Sequence, residues 1–313
     1  MTKFILQRLL AGILTIGSLC VLTFFLLNLR ASDAARNILG QNASQELVDR
    51  KTQQLGLDRP LTTQFLEWAS GAVQGNLGRS WFTGQSVTEA LLTRLPVTLT
   101  LTIGAVLLSA VVAVCLGAAS ARQRGPLDRF IQIASVTVAA VPGFLMALAL
   151  VLMFALSLRW FPATGYTRPD VSFPGWLSTI TLPVLALSIA ATASVAQQIR
   201  GSMIDAMRLD YVRTLRARGL PEGRVMFGHV LRNAAAPALS VLGLQFIVLF
   251  GGAVVVEQVF SLPGLGQSAI AATAQGDIPI VMGLVILTAI VVFLVNLAID
   301  LLQGWLNPKM RQS

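Results

Sequence analysis

The sequence predicts an all-α integral membrane protein of six transmembrane helices, with both termini on the cytoplasmic side. Three observations carry that reading: the composition, the spacing of the charges, and their asymmetry between alternate loops. Of 313 residues, 55% are hydrophobic and 12% charged, with a mean hydropathy of +0.73. Soluble domains carry about 25% charged residues, so this chain lacks half of what a water-facing surface needs. The shortage is also uneven. Long windows are free of charge or nearly so, each at least as long as the roughly 20 residues a helix needs to cross the hydrocarbon core.

Six such windows run from Leu9 to Leu29, Pro96 to Ala121, Phe130 to Leu158, Thr179 to Ile199, Ala235 to Val256 and Ile280 to Gln303, only the last holding a charge, Asp300. They lack the ten-residue alternation of a membrane barrel, and a helix satisfies its own backbone in lipid, so helices are expected. The first window outlasts a signal-peptide core and reads as an uncleaved anchor. Orientation follows from Lys and Arg. Residues 1–8, 122–129, 200–234 and 304–313 hold 14 of the 23 positives in 61 residues; loops 30–95, 159–178 and 257–279 hold 9 in 109. The first set is therefore cytoplasmic. Four acidic residues lie inside and nine outside, which assigns the net +9 to the cytoplasmic face and removes the need for a nucleic-acid partner. Trp160, Trp176 and Trp305 stand where interfacial aromatics belong. Cys20 and Cys115 fall within spans and read as small buried hydrophobes.

The domain organisation expected is a tail and first helix (1–29), an extracytoplasmic helical loop (30–95), a five-helix core (96–303) and a cytoplasmic tail (304–313). In the outer loop Ser44 can cap a helix that stops at Gly56, and Pro60 can start another containing Phe65, Leu66 and Trp68. Ser86 and Glu89 then form a capping box before a short helix that ends ahead of Pro96. Such a cap suits a spacer or a surface for a soluble partner, and the residues leave both open.

Catalysis has few candidates. His229 is the single histidine, with no zinc motif or nucleophile–base pair around it. None of the three lysines, Lys3, Lys51 and Lys309, follows a glycine, so there is no P-loop. No catalytic, metal or cofactor site is expected, and any ATPase must be another chain. Within the spans, Asn296 and Asp300 share a helical face, Gln197 and Gln198 end the fourth, and Gln245 lies in the fifth. Singly, each suits helix–helix hydrogen bonding. Pro142-Gly143 and Pro183 suit kinks. A secondary transporter or channel would need intramembrane charges or inverted repeats, which the sequence does not show.

The long inner loop is more specific. Residues 198–217 are amphipathic and helix-prone, Gly219 suits a left-handed helix end, and Pro221 with Glu222 opens a second helix carrying Arg224, His229 and Arg232. This helix-turn-helix is a rigid projection able to carry motion from a soluble protein into the fourth and fifth spans.

Asp210-Tyr-Val-Arg-Thr-Leu-Arg-Ala-Arg-Gly219, followed by His229-Val-Leu-Arg-Asn233 and Pro237, closely resembles the cytoplasmic coupling loop of ABC-importer permeases, in particular the B-type subunit of the dipeptide/oligopeptide/nickel-type family. The resemblance extends along nearly the whole chain: Phe4-Ile-Leu-Gln-Arg-Leu-Leu10, Leu55-Gly-Leu-Asp-Arg-Pro60, Gly75-Asn-Leu-Gly-Arg-Ser80, Gly252-Ala-Val-Val-Val-Glu257, Phe260, Pro263-Gly-Leu-Gly266, Asp277-Ile-Pro279 and Asn296-Leu-Ala-Ile-Asp300. It departs at Ala31-Ser-Asp-Ala34, where the family has a Pro-Gly-Asp-Pro turn, at Asn76 in place of aspartate, and at Asn307-Pro-Lys-Met-Arg311.

The resemblance implies a type I importer permease fold in a bacterial cytoplasmic membrane, with residues 200–234 docking on a separate ATP-binding subunit. Asp210, Tyr211, Arg213, Thr214, Arg216, Ala217, Gly219 and Leu220 match the family's contact loop. The implied partners are a homologous C-type permease subunit, two ATP-binding subunits holding ATP and Mg, an extracytoplasmic substrate-binding protein and the lipid bilayer. The cargo implied is a di- or oligopeptide, with nickel chelates, glutathione or oligosaccharides as alternatives. No substrate-binding residue is assigned.

Overall fold

A backbone in hydrocarbon has no water to bond, so the apolar windows must close their hydrogen bonds within themselves. The computed structural model describes residues 2–28, 31–40, 42–123 and 125–306. Asn307-Pro-Lys-Met-Arg311, Arg30 and Arg124 lie outside the described residues, as do the side chains of Lys3, Phe4, Ile5 and Trp305. Among the described residues the regular elements are helical, apart from an isolated antiparallel bridge between Arg79 and Ser86.

In chain order the helices are α1 (Thr2–Asn28), α2 (Ala31–Leu39), α3 (Gln45–Gln54), α4 (Leu61–Val73), α5 (Val87–Arg122), α6 (Pro126–Ala140) and α7 (Gly143–Leu150). There follow α8 (Phe173–Met207), α9 (Asp210–Ala217), α10 (Leu231–Val259), α11 (Leu265–Gln275) and α12 (Ile278–Leu306). Five stretches are long and apolar enough to cross a membrane unbroken: Leu6–Asn28, Val87–Arg122, Phe173–Met207, Arg224–Val259 and Ile278–Gly304. The count is six when the bent pair Pro126–Ala140 and Gly143–Ser157 is taken as one crossing.

That pair corrects the single third helix expected from Phe130 to Leu158, since its arms meet at 98°. Val141 precedes a proline and is extended, at φ −83° and ψ 123°, because the pyrrolidine ring crowds the α conformation of the residue before it. Pro96, Pro183 and Pro237 stay inside continuous helices. Each of those follows a strong helix former, Leu95, Leu182 or Ala236, whereas Pro142 lies between β-branched Val141 and Gly143. Other expectations change as well. The helix expected to end before Pro96 runs through it to Arg122, and α2 forms where the Pro-Gly-Asp-Pro turn is replaced. Cys20 is buried as expected, but Cys115 is exposed.

By its contacts the chain divides into two compact units, Met1–Val97 with Pro263–Leu297, and Thr98–Leu262 with Ala298–Ser313. In the first, the outer end of α1 meets α4. The rings of Phe24 and Phe65 lie 5.3 Å apart, edge to face, and Trp68 joins them in a cluster over buried Cys20, Ile278 and Met282. Leu66 points away and is exposed. Pro60 stands as the residue before α4, and α3 ends just ahead of Gly56, whose φ is +70°. Asn76 Oδ1 accepts from the Gly78 amide at 3.0 Å, a bond that needs only a carbonyl oxygen and so tolerates asparagine for aspartate.

In the second unit α8 is the central helix, with buried residues from Thr179 to Ala206, packed on α6, α7 and α10. Small residues set its approach to α5. A Cβ added at Gly117 would lie 2.9 Å from the Ala196 carbonyl oxygen and 2.9 Å from Ile199 Cγ2. One of those neighbours is backbone, so the site cannot relax by turning a side chain. Gly117→Leu should therefore destabilise the purified protein by about 1–3 kcal/mol, read as a lower Tm in detergent. Gly251→Leu, which meets open space, should leave Tm unchanged.

Candidate functional site

The cytoplasmic projection expected from the sequence forms, but in a different partition. α8 does not continue to Ala217; it stops at Met207, and Leu209 turns extended at ψ 145° before α9 begins. Asp210 in the first turn of α9 is favoured there by the helix dipole. The second helix is not a free element either. From Arg224 it winds through a π-helical segment, Arg224–Val230, directly into α10. The projection is thus one short helix strung between two membrane helices.

α9 closes with two bonds: the Gly219 amide donates to the Arg216 carbonyl at 2.9 Å, and the Leu220 amide to the Leu215 carbonyl at 3.3 Å. This is the Schellman pattern, which needs a left-handed residue after the helix, and Gly219 supplies it at φ +76°. Pro221 restarts the chain, its carbonyl accepting from Arg224 and Val225. Across the turn the Arg216 guanidinium grips Glu222 with both arms, at 2.6 and 3.1 Å. That bond holds the Glu222 carboxyl below its usual value. Asn233 Nδ2 donates to the Tyr211 hydroxyl at 2.7 Å, tying α9 to α10.

Helical spacing sorts the eight residues named above. Asp210, Arg213, Thr214 and Ala217 recur at intervals of three and four and share one exposed face of α9, with Arg216 and Gly219 exposed beside it. Tyr211 and Leu220 instead turn inward, packing with Leu215 against a core that holds Val212, Val225, Met226 and Val230. So six of the eight are presented outward and two fix the projection. Leu209 and Phe227, both more than half exposed, add apolar surface that sequence reasoning missed. An amphipathic pattern read as one continuous helix places neither.

Buried carboxylates were also missed. Glu257, counted in an outer loop, is fully buried and accepts from the Thr98 hydroxyl at 2.5 Å. Asp277, 2% exposed, accepts from Ser80 Oγ at 2.5 Å and the Trp81 amide at 3.2 Å. Ser80 ends one of the motifs quoted above and Asp277 begins another, 197 residues apart, and only the fold makes them partners. At the other end of α5, Ser120 and Arg200 both bond Asp128.

Two family descriptions match the chain. Residues 90–312 match "Binding-protein-dependent transport system inner membrane component", and residues 1–102 match the corresponding N-terminal membrane component. Similar proteins include a probable peptide ABC transporter permease of Sinorhizobium fredii, 35% identical over 99% of this chain and 100% of the relative. A di/tripeptide transport system permease of Pseudomonas aeruginosa is 35% identical, with 100% of both chains covered. A glutathione transport system permease of Escherichia coli is 35% identical over 99% of each. With its apolar helices and its full-length match to such permeases, the chain belongs to the binding-protein-dependent transport system inner membrane component family, as a multi-pass, non-catalytic permease subunit of an ABC importer with the type I permease fold.

Proposed function

We propose that the chain carries small peptides inward by alternating access, driven by two separate ATP-binding subunits, one of which docks on residues 200–234. A homologous second permease subunit completes the passage, and an extracytoplasmic binding protein delivers the cargo. ATP and Mg belong to the docking subunits. The observation that carries this reading is the exposed face of α9, with Asp210, Arg213, Thr214 and Ala217 aligned beside the left-handed Gly219. Small residues at 217 and 219 permit close approach, and the arginines offer planar donors to carboxylate or carbonyl groups. Peptides are favoured because two of the three relatives above carry them in their names; glutathione, in the third, is itself a tripeptide. In this reading residues 30–95 face outward and residues 200–234 face the ATPase.

Magnitudes rank the sensitive positions. A non-glycine residue held left-handed costs about 1–2 kcal/mol, whereas a part-exposed ion pair such as Arg216–Glu222 contributes up to about 1 kcal/mol. Gly219→Val should therefore reduce ATPase retention on the immobilised chain more than Glu222→Gln does. Equal retention by wild type and Gly219→Val would remove the docking assignment. With all subunits reconstituted in liposomes, ATP-dependent uptake of a labelled dipeptide is expected. Uptake of a nickel chelate or an oligosaccharide, with none of peptide, would reassign the cargo.

The ion pair also sets a pH window. Because Arg216 lowers the Glu222 value from the ordinary 4.5, its contribution is complete above 4.5 and is lost as pH falls through the lowered folded value. Amide exchange around the turn, corrected for intrinsic rate, should stay level at neutral pH and accelerate only in acid. Glu222→Gln should abolish that acid step.

A further inference from the structure

One charged cluster of the second unit lies outside α9 and its turn. The Arg200 guanidinium of α8 meets Asp128 of α6 with both arms, Nε to Oδ1 at 2.7 Å and Nη2 to Oδ2 at 2.7 Å. Its Nε also reaches Ser120 Oγ of α5 at 3.1 Å, and Ser120 donates to the same carboxylate. Three helices are thus joined through one guanidinium. The side chains of Arg200 and Asp128 are only 28% and 14% exposed.

Its position is set by helical spacing. Above the cluster lies an apolar cavity of about 350 Å³ walled by α5, α6 and α8. Leu116 on α5, Ile131 on α6 and Ala193 on α8 line it, and Ser120, Asp128 and Arg200 follow at intervals of four, three and seven on the same faces. The cluster therefore lies beyond this lining, between it and the coupling segment. One turn above it, Gly117 brings α5 against the backbone of α8. Below it, α8 continues without a break from Arg200 to Met207 and delivers the chain to α9.

We propose that Arg200 is a positioning residue for transport, closing α5, α6 and α8 around Asp128 and Ser120 in the conformation seen here, and that movement of the coupling segment makes and breaks this closure in each cycle. A sheltered ion pair adds little net stability over an apolar replacement, whereas removing one partner strands a charge in a low dielectric. Such a pair selects one arrangement of helices over another, which suits a two-state device. Lysine cannot replace the arginine, because a point charge cannot hold both carboxylate oxygens and the serine in one plane.

The inference rests on the importer reading, and the test separates the two. The complete complex with its ATPase, second permease and binding protein is placed in liposomes. ATP hydrolysis with and without binding protein, and solute moved per ATP, are then measured for wild type, Asp128→Asn, Arg200→Lys and the exchange Asp128→Arg with Arg200→Asp. Expected for Asp128→Asn is full ATPase retention, raised hydrolysis without binding protein, and a five- to tenfold fall in solute per ATP, within the usual range of about 5–150-fold for coupling between sites. Arg200→Lys should fall the same way, and the exchange should recover much of the ratio. An unchanged ratio in either single variant overturns the proposal, as does a proportional loss of uptake and hydrolysis, the mark of a merely structural role. If Asp128→Asn fails to assemble, Arg200→Lys decides by the same ratio. A wild-type chain that retains no ATPase overturns the importer reading itself.

Discussion

The absence of water from the hydrocarbon core governs this molecule. Every backbone group there must find a partner within the protein, so long helices are the default and each irregularity has a local cause. Prolines make the point. Pro96, Pro183 and Pro237 lie inside spanning helices and leave them continuous, whereas Pro142 does not. A missing amide is survivable where the residues before it are strong helix formers. At Val141-Pro142-Gly143 the preceding residue is pushed extended and the following one has the weakest preference after proline. The chain there gives up the helix and turns through 98°.

The same solvent makes polar side chains expensive, and here they recur as one chemical unit, a hydroxyl donating to a carboxylate. Thr98 with Glu257 and Ser120 with Asp128 belong to the second unit, and Ser80 with Asp277 to the first. Thr98 and Ser120 stand on a single helix, 22 residues apart. At 1.5 Å per residue that is about 33 Å, close to the thickness of the hydrocarbon core. α5 therefore carries two such ties about one core thickness apart and, between them, the small residue that brings it against α8. The version with Arg200 lies at the end next to the coupling segment.

What the sequence made legible follows from the range over which each signal acts. Spans are local runs of composition, and five of the six windows fall on unbroken helices among the described residues, the third being split at Val141-Pro142. The Gly219 turn was legible because a left-handed cap has a near-unique residue. The continuity of α5 through Pro96 turns on the helix preference of the residues before the proline, a finer signal than the proline itself, and the division of the inner loop at Leu209 is not marked by any proline or glycine. The buried carboxylates were least legible. Glu257 and Asp277 were counted as loop charges because proximity to Thr98 and Ser80 is a property of the fold, 159 and 197 residues away along the chain. The coupling segment itself was assigned through family resemblance; spacing then explains why six of its residues face outward while Tyr211 and Leu220 do not.

The charge of +9 ends with a more particular meaning than orientation. Of the arginines in the coupling segment, Arg216 is held by Glu222 at 2.6 Å and Arg213 lies 3.6 Å from Asp210. Arg200 is held by Asp128 above the segment. The Arg216 and Arg200 pairs are bidentate, whereas Arg213 and Asp210 are both largely exposed and stay open to a partner. Arg208, Arg218 and Arg224 make no ion pair among the described residues, and they flank α9 at both ends and across its turn. On the docking proposed above, a groove that accepts this segment would place acceptor groups around the ends of α9. It must stay small and neutral along Ala217 and Gly219, where no side chain holds it at a distance. The charge that orients the chain in the membrane thus also limits what can dock on it.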